Sequence, residues 1–259
     1  MRALITGASS GIGLELAKLF ARDGHDVVLV ARSADKLKQL AAQLGSAHNI
    51  RATVIPADLA DPAAPEEIFR TLRAADVELD VLVNNAGFGV TGPFLATDAA
   101  TELRMIQVNV TALTHLTKLF LPAMLGRSAG RILNVASTAG FQPGPFMAVY
   151  YATKAYVISF SDALAEELRG TGVTVTCLCP GPTHTGFQAA AHMDNVRIFK
   201  LPFVMGGARV AQAGYDGLLK GKRMVIPGLM NKLTPVTARF SPRSMVTRVV
   251  RLLNERVRG

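Results

Sequence analysis

Cysteine is nearly absent from this 259-residue sequence, occurring only as Cys177 and Cys179. In a β-rich run a two-residue offset points both side chains to the same side. That spacing along an extended strand suits neither a disulfide nor, without His or further Cys nearby, a zinc site. The pair reads as buried free thiols. His25, His48, His115, His184 and His192 show no metal-ligand spacing, and no metal is expected. Apolar runs fall short of the roughly 18 residues that span a bilayer, and the opening MRALITG has no charged, apolar, small-residue leader; a cytoplasmic protein is expected. Apolar residues at 49% against 18% charged exclude a disordered or mucin-like chain. Acidic residues are scarce at one end. Residues 1–219 hold 18 basic and 18 acidic side chains, whereas 220–259 hold ten basic ones and the single acid Glu255, so the net charge of +9 sits in the tail. No nucleic-acid-reading motif accompanies it, and no nucleic-acid partner is expected.

The length exceeds the rough norm of about 150 residues for one domain but lies within what open α/β sheets reach as one unit. Short β-branched runs at 3–6, 26–31, 52–57, 81–84, 131–136, 173–178 and 224–226 alternate with helical patterns at 12–22, 34–44, 65–74, 101–124, 149–169 and 208–219. This alternation predicts an α/β fold of the Rossmann type, a doubly wound, seven-stranded parallel sheet flanked by helices, occupying residues 1–259 as a single domain. Ser33 is placed as a helix N-cap, with Gly45 and Gly170 as C-terminal glycines. The irregular, apolar stretch 185–207, with Phe187, Met193, Ile198, Phe199, Leu201, Phe203 and Met205, reads as a substrate lid. Residues 229–259 form a basic C-terminal helical extension.

The first strand runs into TGASSGIG, which sets Gly7, Gly11 and Gly13 in a turn before a helix. Such a turn lets backbone N–H groups approach a dinucleotide pyrophosphate, although glycine-rich turns also occur for structural reasons alone. At the end of the second strand Ala31 stands where an NAD-selective fold keeps an acid, and Arg32 follows it. A missing acid beside a guanidinium favours a 2′-phosphate, hence NADP(H) over NAD(H). Tyr150 and Lys154 lie four apart on one helix face. A nearby ammonium lowers a phenol toward the working pH, as a general acid/base requires. Tyr151 points about 100° away and is expected to pack in the core or an interface.

Taken together these motifs resemble the short-chain dehydrogenase/reductase family across residues 1–228. TGASSGIG resembles its cofactor motif, implying contacts from Gly7, Ser9, Ser10, Gly11, Ile12 and Gly13. Asp58 and Leu59 in ADL resemble its adenine-contacting segment, and Asn84-Asn85-Ala86-Gly87 its sheet-stabilising NNAG. YYATK carries the Tyr-x-x-x-Lys pair; Ser137, 13 residues upstream of Tyr150, and Asn109 in QVNV fit the catalytic Ser and Asn. CPGPTHT resembles the nicotinamide-side loop, with Pro180, Gly181, Thr183 and Thr185 as contacts and His184 able to face a substrate.

The resemblance implies interconversion of a carbonyl and a secondary alcohol by hydride transfer. Tyr150 would donate the proton and Ser137 stabilise the carbonyl oxygen. Lys154 would bias Tyr150 toward phenolate and hold the nicotinamide ribose, with Asn109 supporting a water-linked relay. Phe88, Phe94, Phe141, Phe146 and Met147 are expected around an apolar pocket for a lipophilic or 3-oxoacyl-type carbonyl. The resemblance also implies a homodimer or homotetramer formed through helices 101–124 and 149–169. In the tail, a helix starting near Pro242 sets Met245, Val249, Leu253 and Val257 beside Val246 and Val250, with Arg248, Arg251 and Arg258 on another face. It suits peripheral membrane contact, covering of the lid, or pairing with another subunit. A cofactor sensor or membrane-surface scaffold without turnover is the alternative function.

Overall fold

The computed structural model describes residues 1–184, 197 and 204–255. Seven strands, β1 (Arg2–Thr6), β2 (Asp26–Ala31), β3 (Ala52–Pro56), β4 (Val81–Asn84), β5 (Gly130–Val135), β6 (Val173–Leu178) and β9 (Met224–Val225), form one parallel sheet in the order β3-β2-β1-β4-β5-β6-β9. A two-residue ladder, β7 (Thr183–His184) with β8 (Met205–Gly206), lies outside it. The strands are apolar on both faces because both faces are covered. Ile5, Leu29, Val83 and Leu133 pack under α1 (Gly11–Arg22), α2 (Ala34–His48) and α7 (Gly207–Leu219). Their neighbours Leu4, Val28, Leu82 and Ile132 face Ile68, Leu116 and Phe120 on the opposite side, from α3 (Ala64–Ala74) and α5 (Leu113–Gly126). After β3 the chain returns to place β4 on the free edge of β1, so the strand order reverses between them. A crevice at such a reversal, beyond the carboxyl ends of the strands, is where open α/β sheets bind ligands.

A buried polar chain pins the centre of the sheet. Asn84 Nδ2 donates to Asn134 Oδ1 at 2.9 Å and to Thr117 Oγ1 at 3.1 Å, and Asn134 Nδ2 donates to Ser161 Oγ at 2.9 Å. These bonds tie β4 and β5 to α5 and to α6 (Ala148–Glu167), consistent with the sheet-stabilising part expected of NNAG.

Several boundaries differ from the sequence expectation. Helix α2 runs past Gly45 to His48 and stops where Asn49 turns left-handed (φ 52°) and returns its N–H to Gly45 O at 3.0 Å. Ser33 precedes that helix but its side chain makes no capping bond. The expected helix 101–124 is three pieces: α4 (Ala99–Ile106), capped by Asp98 through Thr101 N at 2.8 Å, a π-helical turn Gln107–Ala112, and α5. The extension contains a helix not anticipated from sequence, α8 (Leu229–Phe240), because Pro235 inside it masks the pattern. The last helix, α9 (Arg243–Asn254), begins where expected but buries only Val250 and Asn254, with Val246 partly covered; Met245 and Val249 stand out in solvent. Its apolar arc is wider than the face that finds a partner, and Val257 and Arg258 lie outside the described residues.

Candidate active site

The turn after β1 is shaped by glycine and held by asparagine. Gly7 and Gly11 take left-handed backbone (φ 67° and 58°), which only glycine adopts freely. Thr6 Oγ1 accepts from Asn85 N and Ala86 N at 3.0 Å each, and Asn85 Nδ2 donates to Thr6 O at 2.8 Å, so β4 and its following loop clamp the turn. Gly13 packs against this clamp, where a Cβ would run into Gly7 O and the Asn85 amide. It does not line the cavity, so its contribution is to the turn's closeness rather than to direct contact.

A cavity of about 650 Å³ begins at the turn and extends along the carboxyl ends of the strands. Its walls bring together Gly7, Ser9, Ser10, Gly11 and Ile12 at one side, Arg32, Asp58 and Leu59 at one end, and Ser137, Tyr150 and Lys154 at the other. Asn85, Ala86, Gly87, Pro180, Gly181 and Thr183 also line it. Thr185 and the residues expected to form a lid, Phe187, Met193, Ile198, Phe199, Leu201 and Phe203, lie outside the described residues. His184 is exposed and does not line the cavity.

Among the lining residues that sequence reasoning missed are Ser33, Lys36, Arg104 and Asn254. Ser33, read as a cap, and Lys36, one turn after Arg32, line the same end as Arg32. Arg104 reaches across from α4 to within 3.4 Å of Asp58 Oδ2. Asn254 enters from α9, accepting from Tyr151 OH at 3.2 Å and donating to Pro145 O at 3.0 Å. The four-residue spacing of Arg32 and Lys36 was a usable signal; nothing local marks Asn254. Tyr151 packs with Met147, Ala139 and Val250, as expected, while also bordering the cavity.

At the end of the cavity away from Arg32, Ser137 Oγ donates to Pro180 O at 3.3 Å and accepts from Ala139 N at 3.1 Å. Lys154 Nζ, buried, donates to Val135 O at 2.9 Å and sits 5.8 Å from the Tyr150 ring centre. Asn109 occupies the π turn with its side chain fully engaged. Its Oδ1 accepts from Phe88 N at 3.1 Å, and its Nδ2 donates to Phe88 O at 3.0 Å and Thr153 Oγ1 at 3.1 Å. It lies behind Gly87, where a Cβ would stand 3.0 Å from Asn109 Oδ1 and 3.5 Å from Lys154 Nζ.

The titration of the pair departs from expectation. Burial pushes the Tyr150 phenol above its ordinary value, outweighing the hydrogen bond with Ser137 that pulls it down. Burial also brings the Lys154 ammonium down to about 8, although Cys177 and Cys179 pull it upward. Without a bound partner the lysine therefore does not make Tyr150 a phenolate, because desolvation dominates both groups. Tyr150 is held as an acid. The two thiols are buried and free, their Sγ atoms 3.6 Å apart.

Of the expected apolar pocket residues, Phe88 and Met147 reach the cavity. Phe94 and Phe146 instead line a separate void of about 20 Å³ with Tyr150, and Phe141 packs against the cluster of Leu113, Ala136 and Val157. An apolar residue's type does not say which of two neighbouring spaces it fills.

A model of the short chain dehydrogenase family matches residues 1–195. The chain is 37% identical over 240 residues to a ketoacyl reductase, HetN, of Nostoc sp., covering 92% of this chain and 78% of that protein. It is 38% identical over 184 residues to a very-long-chain 3-oxoacyl-CoA reductase of Anas platyrhynchos, covering 69% of this chain and 58% of the relative's length. Among solved structures, a short-chain dehydrogenase from Sphingobium yanoikuyae in complex with NADPH superposes with a TM-score of 0.80 at 37% identity, covering 88% of each chain. The bulky-bulky ketone specific alcohol dehydrogenase from Comamonas testosteroni gives 0.78 at 34% identity over 91% of each.

Proposed function

From the premise that the chain belongs to the short chain dehydrogenase family, oxidoreductases acting on the alcohol/carbonyl pair, we propose that it reduces a lipophilic ketone or 3-oxoacyl-type substrate with NADP(H). The observation that carries this reading is the convergence, in one cavity, of the glycine turn and Arg32 at one end with Ser137, protonated Tyr150 and Lys154 at the other. The cradle fits a dinucleotide: the turn leaves no room for side chains at Gly7, and Arg32 and Lys36 supply cations where a 2′-phosphate would lie. When bound, the nicotinamide supplies the hydride.

The rest is done by the chain. Tyr150, an acid at neutral pH, donates its proton to the substrate oxygen as the carbonyl carbon is reduced. Ser137 turns its hydroxyl from Pro180 O to that oxygen and stabilises its growing charge. Lys154, anchored on Val135 O, would hold the cofactor's ribose hydroxyls and would lower the cost of the tyrosinate left behind. Asn109 fixes Phe88 and the loop above Lys154 and so keeps the lysine in register, with the relay behind it. Phe88 and Met147, together with the names carried by the relatives, support an apolar substrate. Copies associate as a homodimer or homotetramer through the helices that carry exposed Leu103, Ile106 and Tyr156. The test is oxidation of NADPH, with NADH in parallel, across acyl, steroid and aromatic ketones. Wild type should turn over at least one of them and Tyr150→Phe none; turnover surviving in the variant would overturn the assignment.

A further inference from the structure

The C-terminal helices are two-faced. On the inner side α8 sets buried Asn231 against Gly181 and anchors it on Pro227 O at 2.7 Å, while α9 sets Val250 and Asn254 against Ala139 and Tyr151. On the outer side Leu229, Leu233, Val236 and Phe240 recur at spacings of four, three and four along α8, and Met245, Val249 and Leu252 recur at four and three along α9. Each spacing defines one helical face, and all seven are exposed, Phe240 at 80%. With Met230, these helices hold eight of the sixteen large apolar side chains that stand exposed among the described residues. Lys232, Arg239, Arg243 and Arg248 flank the stripes with no acidic partner among the described residues. The one acid there, Glu255, pairs with Arg251 at 3.5 Å.

We propose that the outer face of α8 and α9 is a docking surface for an anionic lipid bilayer, with the apolar stripes entering the headgroup boundary and the flanking cations meeting lipid phosphates. An apolar face bordered by basic residues is what an interfacial helix needs, and no helix among the described residues is long and apolar enough to cross the membrane. Charge selects this occupant over a second copy. Face-to-face pairing would oppose the same four cations with no acid to neutralise them, whereas an anionic leaflet complements all four. Asn254 of α9 lines the cavity and Asn231 of α8 packs on Gly181, which lines it too, so docking would set the site beside the phase in which a lipophilic substrate dissolves.

The full chain is tested by co-sedimentation with vesicles of phosphatidylcholine and with vesicles in which about a third of the lipid is phosphatidylglycerol, at about 0.1 M and about 0.5 M NaCl. Binding to the anionic vesicles should exceed binding to the neutral ones at least about tenfold and fall several-fold at the higher salt. Each cation near an anionic surface contributes roughly fivefold, so Arg239→Glu with Arg248→Glu should weaken binding by roughly 25-fold or more. Leu233→Asp with Phe240→Asp should abolish it. These positions are exposed, and unchanged melting temperatures would show that the variants fold, a control independent of any turnover. Equal binding to both vesicles, no binding, or unimpaired binding by either variant overturns the proposal. So does a dimer split by the apolar variant in the absence of vesicle binding, which would assign the face to a second copy.

Discussion

Lys154→Met should make the protein more stable and inactive at once. The buried ammonium is held down at about 8 against an ordinary 10.5, a difference equivalent to about 3 kcal/mol by which the charged form disfavours the fold. Below pH 8 the folded and unfolded chains both carry this proton and the penalty is complete. Between pH 8 and 10.5 the folded chain releases it while the unfolded chain keeps it, so stability rises with pH through that window. Methionine has nearly the volume of the lysine stem and no charge, but it leaves Val135 O without its 2.9 Å donor, a loss of about 1 kcal/mol. Urea melts without cofactor should therefore show the variant about 2 kcal/mol more stable at pH 7. The advantage should shrink above pH 8 and reverse near pH 10.5, where only the lost hydrogen bond remains. A variant less stable at pH 7, or a difference constant across this range, would refute the reasoning. Turnover should be lost throughout, which would identify the strain as one retained for chemistry.

Three further outcomes check other parts of the site. Arg32→Ala should weaken NADPH at least about tenfold more than NADH in fluorescence titrations; equal losses would remove the basis for a phosphate contact. Tyr151→Phe strands Asn254 Oδ1 and should cost about 1 kcal/mol in thermal denaturation with turnover nearly intact; loss of turnover would mean that the wrong tyrosine carries the chemistry. Gly13→Ala drives a Cβ into Gly7 O and Asn85 and should cost about 1–3 kcal/mol while lowering NADPH affinity, although Gly13 never faces the cavity. Unchanged affinity would show that the turn can yield.

The sheet was legible because adjacent residues along each strand feed two separate cores, leaving continuous apolar runs such as Val27 to Val30 that only a doubly covered strand tolerates. The glycine turn and the Tyr150/Lys154 pair were legible because each is local. What escaped depends on contacts across the sequence. The π turn is secured by Asn109 gripping Phe88, 21 residues earlier. Asn254 enters the cavity through Tyr151, 103 residues away. The acidity of Tyr150 was misjudged because spacing on a helix reveals a neighbouring charge but not the burial that opposes it. Pro235 hid α8, and the division of Phe88, Phe94, Phe146 and Phe141 among cavity, void and core has no one-dimensional signature.

The π turn at Gln107–Ala112 separates the site from its scaffold in a way that bears on insertions and deletions. One residue lost from an ordinary helix rotates everything beyond it by about 100°, which on α5 would swing Leu116, Phe120 and Met124 out of the core they fill. A π turn already holds one residue more than an α turn needs. A single deletion there would relax the wide turn to α-helical winding and leave those three side chains where they are. The same deletion would withdraw the Asn109 amide from Phe88. The segment is thus a place where the chain can shed a residue, keep its architecture and lose its chemistry, and an inactive protein with an undisturbed core is one deletion away.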